Sequence, residues 1–426
     1  MAKSVKVTAV AVNFVCRVFH FLYLSLRQIH HTYVMKKQTR AIHTRFQSPD
    51  AYNSLSMPVY HTAAYEFDNA NVMADAFCGR SSAPDYSRVT NPTVIYFENK
   101  IKDLTGAKDV IAFSSGMAAI SNSLMAVAGA GKNIVTSRHM FGNTYALITS
   151  TLSRFGVGAR LCDLTDLAEV EKTVDENSCC IYLEIITNPQ MEVADLRALA
   201  EIAHRHNIPL IADTTAIPFT EFDSHALGVD IEIVSSTKYL SGGATSIGGL
   251  VIDYGTCEGF GKRMRSEMLL NLGAYMTPHA AYMQTLGLEN LDARYRIQSA
   301  NTQALAERLR TLPAIRSVNY VGLPDNPYHD LARSQFGPTA GAMLTIDLAD
   351  RDACFSFINN LRLIRRATNL FDNRSLAIHP ASTIFGPFTD EQRRDMDILD
   401  TTIRLSIGLE DVDDLFDDIR QALQES

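Results

Sequence analysis

An apolar run, Ile231–Val234, ends abruptly in Ser235, Ser236, Thr237 and Lys238, and glycines follow at Gly242, Gly243, Gly248 and Gly249. A lysine at the end of a buried strand gives up bulk water, which lowers its pKa and frees the amine for Schiff-base chemistry. The hydroxyls of Ser235 and Thr237 flank it and suit a phosphate. Upstream, the strand-like run Ile208–Ala212 ends in a single carboxylate, Asp213. A Schiff-base lysine, a carboxylate for a pyridinium nitrogen and hydroxyls for a phosphate form the set that pyridoxal phosphate requires.

Two further fragments suit the same phosphate. Val110–Phe113 reads as a short strand, and Ser114-Ser115-Gly116-Met117 turns from it into a helix with apolar positions at Ile120, Leu124 and Val127. Ser115 is the expected N-cap, so Gly116 and Met117 offer backbone N–H groups at the positive end of the helix dipole. In Asp85-Tyr86-Ser87-Arg88-Val89-Thr90-Asn91-Pro92, the Asn-Pro pair is expected to start a turn and break any helix. Tyr86 and Arg88, two apart, then point the same way in an extended segment, and a guanidinium makes two-pronged contacts to phosphate oxygens. Taken singly, each fragment has a plainer reading as a strand-end charge, a capped helix or a solvated loop. Their joint presence favours a cofactor site.

Together, Y-S-R-x-x-N-P-T from Tyr86, S-G-M from Ser115, the strand ending in Asp213 and S-x-T-K-Y-x-x-G from Ser235 resemble the Cys/Met-metabolism group of pyridoxal-phosphate enzymes. That group includes cystathionine γ-synthase, cystathionine lyases, methionine γ-lyase and the O-acylhomoserine sulfhydrylases. The likeness runs from about Met35 to the C-terminus. It implies a type I, aspartate aminotransferase-like α/β fold: a large domain with a mostly parallel sheet, and a smaller C-terminal α/β domain. It also implies that Lys238 binds the cofactor covalently and then shuttles protons, while Asp213 pairs with the pyridine nitrogen. By the same resemblance Gly116, Met117, Ser235 and Thr237 hold the phosphate, and Tyr86 and Arg88 reach the phosphate of a neighbouring subunit in a homotetramer built from dimers. Arg404 matches an arginine that grips the substrate carboxylate, with Asn188 beside it. Asn369 falls at a further substrate-side position.

The chain departs from the group's pattern in places. Asp213-Thr214-Thr215 replaces a common Asp-Asn-Thr, Gly243 stands where a histidine often follows Ser-Gly, and Asn369 stands where many lyases have serine. Phe141 occupies the position of a ring-stacking tyrosine whose phenol helps to protonate a leaving group, and Asn143 that of a cysteine typical of methionine γ-lyases. Phe141-Gly142-Asn143-Thr144, with Tyr320-Val321-Gly322-Leu323-Pro324, is most similar to O-succinylhomoserine sulfhydrylases. A departing thiolate benefits from an acid worth roughly 10²–10⁴-fold, whereas a departing carboxylate needs less help. The expectation is therefore γ-replacement on an O-acylhomoserine by sulfide or cysteine, with Tyr86 as the remaining phenol. The alternatives are a cystathionine or methionine γ-lyase and, from another class, a non-catalytic regulatory binder. Intact Lys238, Asp213, Arg88 and Arg404 speak against the last.

The elements that must position these groups follow from periodicity. Residues 35–92 are rich in turn formers and read as an extended arm. Strand and helix patterns alternate over 93–289, the expected cofactor-binding domain: Cys180–Ile185 as strand, Leu196–His206 as helix, Ile208–Asp213 as the next strand. Active groups then gather at strand C-termini. Residues 290–426 form the expected C-terminal domain, with a helix through Ala304–Leu309, a strand at Ala342–Leu348 and an acidic closing helix at Asp411–Leu423.

A chain of 426 residues with net charge −8 has room for two cores and offers nothing to nucleic acid. Seven scattered cysteines without a C-x-x-C pair point to a reduced, cytoplasmic setting and no structural metal. Val7–Leu26 is apolar but contains Arg17, costly near the centre of the ~20 residues a membrane span needs. Residues 1–34 read as an upstream translation extension with the start at Met35. A membrane or targeting segment and an ordered helix are the alternatives there.

Overall fold

The computed structural model describes residues 35–44 and 52–424, so the extension expected over 1–34 lies outside the described residues. Seven strands make the first sheet: β1 (Asp109–Phe113), β2 (Asn133–Thr136), β3 (Gly158–Leu161), β4 (Ser178–Glu184), β5 (Leu210–Asp213), β6 (Ile231–Val234) and β7 (Gly249–Asp253). Their order is β1-β7-β6-β5-β4-β2-β3. β7 runs antiparallel to β1 and β6, and the other pairs are parallel. The mostly parallel sheet is as expected, and it explains the apolar runs. Both faces are covered, so every residue of β2, β5 and β6 is buried and strict alternation disappears.

Alternation survives in where the side chains go. Val135, Ile181, Leu183, Ala212, Val234 and Leu250 join one core, and Ile134, Cys180, Tyr182, Ile211, Ile233 and Val251 join another on the opposite face. The helix Leu196–Arg205, capped by Asp195 accepting from the N–H of Ala198 at 3.1 Å, packs Leu196, Leu199, Ile202 and Ala203 into the first core. Helix Gly116–Val127 places Ile120 and Leu124 in the second.

The second sheet holds β8 (Ser317–Asn319), β9 (Met343–Asp347), β10 (Arg365–Arg366), β11 (Leu376–Ile378) and β12 (Thr402–Ser406), in the order β10-β11-β12-β9-β8. Helices Pro278–Glu289 and Leu291–Leu309, meeting at Asn290, lead to it, and the helix Val412–Gln424 closes the chain.

The described part of the segment 35–92 carries two short helices. Lys37–His43 and Ala70–Phe77 are helical, the latter because Asn69 accepts from the N–H groups of Asn71 and Val72 at 3.0 and 3.1 Å. Asn91-Pro92 starts a helix, Pro92–Thr105, rather than merely breaking one. Asn91 accepts from the N–H of Thr93 at 3.0 Å, and proline sits at the first helical position, where no N–H is needed.

Candidate active site

The C-terminal ends of β4, β5 and β6 face one cavity of about 560 Å³, lined also by Thr368–Phe371 and Arg404 from the second sheet's region. Lys238, Asp213, Ser235, Thr237, Gly116, Met117, Phe141, Asn188, Asn369 and Arg404, drawn from several separate segments, all line it.

Lys238 follows β6, and its Nζ donates to Asn369 Oδ1 at 2.9 Å. Burial, with the charge of Arg404, lowers the amine to about 8 against the opposing pull of Asp213 and Asp372. With that pKa about a tenth of the free amine is neutral at pH 7, whereas an exposed lysine is almost wholly protonated. Asp213 ends β5. Burial pushes its carboxyl up to about 6, while the N–H of Thr215, donating to Oδ1 at 2.9 Å, and the charge of Lys238 hold it down. It therefore remains mostly ionised at neutral pH, as a partner for a protonated ring nitrogen must.

Both threonines after Asp213 make hydrogen bonds, Thr214 at the position that departs from the group's pattern and Thr215 at one that matches it. Thr215 Oγ1 accepts from the N–H of Ser235 at 2.8 Å, tying β5 to the start of the lysine loop. Thr214 Oγ1 donates to Glu232 Oε1 at 2.5 Å. At Gly243 the backbone takes φ of 118°, which strongly favours glycine, and a Cβ there would meet Asn373 Nδ2 at 2.7 Å.

The end of the cavity at Gly116 is built by close approach. Ser115 caps the helix Gly116–Val127 by accepting from the N–H of Ala118 at 3.1 Å, so Gly116 and Met117 keep first-turn N–H groups that no residue four back can satisfy. A Cβ on Gly116 would lie 2.7 Å from both Cβ and Oγ of Ser235, and one on Gly249 would lie 2.1 Å from the Ser115 carbonyl oxygen. The helix terminus is thus seated against the serine of the lysine loop. Thr237 Oγ1 donates to the Gly248 carbonyl at 3.1 Å and accepts its N–H at 3.0 Å, so this hydroxyl also pins the loop to β7.

Arg404, on β12, is buried. Its Nη1 donates to Asn188 Oδ1 at 3.2 Å and its Nη2 to the carbonyls of Thr368 and Asn369 at 3.2 and 3.3 Å, while Nε has no partner. Burial pulls it down to about 9, still charged at neutral pH. A buried guanidinium held only by neutral acceptors, with its Nε N–H unpartnered, suits a carboxylate.

Phe141 lines the cavity just before the helix Gly142–Ala146, whereas Asn143 is exposed and outside the lining. Tyr86 and Arg88 are not brought to this cavity by their own chain. Tyr86 is exposed, Arg88 Nη1 donates to the Leu270 carbonyl, and the guanidinium lies 5.5 Å from the Tyr86 ring centroid. Sequence reasoning missed Glu184, Thr215 and Asp372. Their roles depend on strand register and on loop contacts, for which no local pattern exists.

The residues fit pyridoxal phosphate. The chain presents an amine with a lowered pKa, a buried carboxylate one strand away, a helix N-terminus suited to an anion and a separate buried guanidinium suited to a carboxylate. Comparisons agree. The family described as Cys/Met metabolism PLP-dependent enzyme matches residues 38–424. An L-methionine gamma-lyase of Fusobacterium nucleatum is 36% identical over 397 residues, covering 92% of this chain and 99% of that protein. An O-succinylhomoserine sulfhydrylase of Pseudomonas aeruginosa is 37% identical over 368 residues, covering 86% and 90%. Among solved structures, a Campylobacter jejuni protein provisionally assigned as an O-acetylhomoserine (thiol)-lyase, with N'-pyridoxyl-lysine-5'-monophosphate in its chain, superimposes with a TM-score of 0.88. It is 33% identical and covers 92% of this chain and all of that one.

Proposed function

We infer the reaction from one premise: the chain belongs to the Cys/Met metabolism family of pyridoxal-phosphate-dependent enzymes. The reaction we propose is γ-replacement on an O-acylhomoserine, with sulfide or cysteine as the incoming thiol and homocysteine or cystathionine as product. The observation that carries it is Phe141. Among the described residues lining the cavity there is no tyrosine, so no phenol of the same chain stands ready to protonate a departing thiolate.

Lys238 would hold the cofactor, Asp213 its ring nitrogen, and Gly116, Met117, Ser235 and Thr237 its phosphate. Pyridoxal phosphate, when bound, supplies an electron sink that makes hydrogens beside the substrate amino group removable as protons. Arg404, braced by Asn188, orients the substrate by its carboxylate. The Lys238 amine, brought toward neutrality by burial, takes and returns the protons, with Asn369 holding Nζ. Phe141 offers an apolar face and excludes water. An acyl ester leaves as a carboxylate and needs little acid, whereas a thioether needs one worth roughly 10²–10⁴-fold.

Tyr86 and Arg88 we assign to the site of a neighbouring subunit, within a homotetramer of dimers that share sites. Their position away from their own chain's cavity supports this. A γ-lyase is the second reading, favoured by methionine gamma-lyase relatives at 34–36% identity. The test offers O-acetyl- and O-succinylhomoserine, methionine and cystathionine to the purified enzyme, with and without thiol. Replacement on an ester should dominate. Faster breakdown of methionine would favour the lyase.

A further inference from the structure

Glu184 has no part in the chemistry above, yet it stands at the end of β4 directly across the ladder from Asp213. Its Oε1 accepts the N–H of Phe141 at 2.8 Å, and the N–H of Asn188 approaches the same carboxyl and favours its charged form. Phe141 leads into the helix Gly142–Ala146, and Asn188 braces Arg404 through its Oδ1 at 3.2 Å. One carboxyl therefore anchors the loop that carries Phe141 and lies beside the loop that carries Asn188. One loop presents an aromatic ring to the cavity, and the other steadies the guanidinium proposed to bind substrate.

We propose that Glu184 is a positioning residue: through the amides of Phe141 and Asn188 it sets the ring of Phe141 and the Asn188–Arg404 pair against Asp213. The assignment deepens the cofactor-site reading above and does not depend on which thiol or leaving group the enzyme uses. Burial, with the adjacent charge of Asp213, pushes the Glu184 carboxyl up to about 8. At neutral pH it is therefore mostly protonated. A neutral carboxyl still accepts a backbone N–H, and it adds no second negative charge beside the aspartate, where two ionised carboxylates would repel. An amide of the same shape should then serve as well, while a hydrocarbon should not.

The test uses the holoenzyme and its variants Glu184→Gln and Glu184→Leu, reading the visible circular dichroism of the bound cofactor and its dissociation constant. Glu184→Gln should keep the wild-type sign and amplitude and bind cofactor within about twofold. Glu184→Leu leaves the Phe141 N–H unpaired. It should lose much of the dichroic band and bind cofactor about 5- to 100-fold more weakly. Wild-type dichroism and affinity in Glu184→Leu would overturn the proposal, even with a lowered melting temperature, since that combination marks a merely structural role. If Glu184→Leu does not fold, Glu184→Gln decides: a retained spectrum supports positioning by a neutral carboxyl, and a lost one overturns it.

Discussion

Replacing Phe141 by tyrosine returns a phenol to a cavity whose described lining has none. Elimination from cystathionine or methionine should rise, by up to about 10²-fold where protonation of the thiolate limits the rate, while replacement on an acyl ester changes little. The ratio of kcat/KM for cystathionine to that for each ester, in both proteins, reads this directly, and an unchanged ratio contradicts it. Lys238 and Asp213 were legible because their chemistry is unusual for their place, each closing an apolar run, whereas Arg404, inside the strand Thr402–Ser406, was legible only through the family resemblance. The structure gathers all three at one cavity. Glu184 closes an apolar run too, but its meaning lies in the ladder that sets it beside Asp213 and in the distant amide of Phe141. Neither contact has a sequence signature.

At the scale of elements, the site depends on the helix Gly116–Val127 lying tight against the loop after β6. Gly116→Ala places a methyl 2.7 Å from Ser235 Cβ and 3.1 Å from its Cα, atoms that move only with the backbone. Overpacking of this kind costs about 1–3 kcal/mol. Denaturant unfolding of the apoprotein should show that loss, and cofactor affinity should fall with it because the displaced helix terminus carries the N–H groups proposed to bind the phosphate. Full stability and affinity in Gly116→Ala would mean that the helix is not so constrained. Buried strands and amphipathic helices were readable to within a residue or two: Ile208–Asp213 was expected and Leu210–Asp213 is found, Leu196–His206 was expected and Leu196–Arg205 is found. The short helices Lys37–His43 and Ala70–Phe77 were not. Turn-forming residues such as Asn69 also serve as caps, and composition alone does not separate the two uses.

At the scale of the whole molecule, no helix among the described residues is long and apolar enough to cross a membrane, and the six described cysteines are free. The proposed sharing of sites predicts complementation. Arg88→Ala and Lys238→Ala subunits should each be nearly inactive alone. Mixed and reassembled one to one, they should recover about a quarter of wild-type activity, since half of the dimers are then hybrid and each hybrid has one intact site. Verified hybrids without activity would place the whole site within one chain. The partition of products at equal enzyme decides between replacement and elimination. Homocysteine or cystathionine formed from O-acetyl- or O-succinylhomoserine with sulfide or cysteine is compared with the oxo acid released from methionine and cystathionine. The kcat/KM for replacement on at least one ester should exceed that for either elimination by about tenfold or more. Oxo acid released from methionine faster than either ester is converted would contradict it.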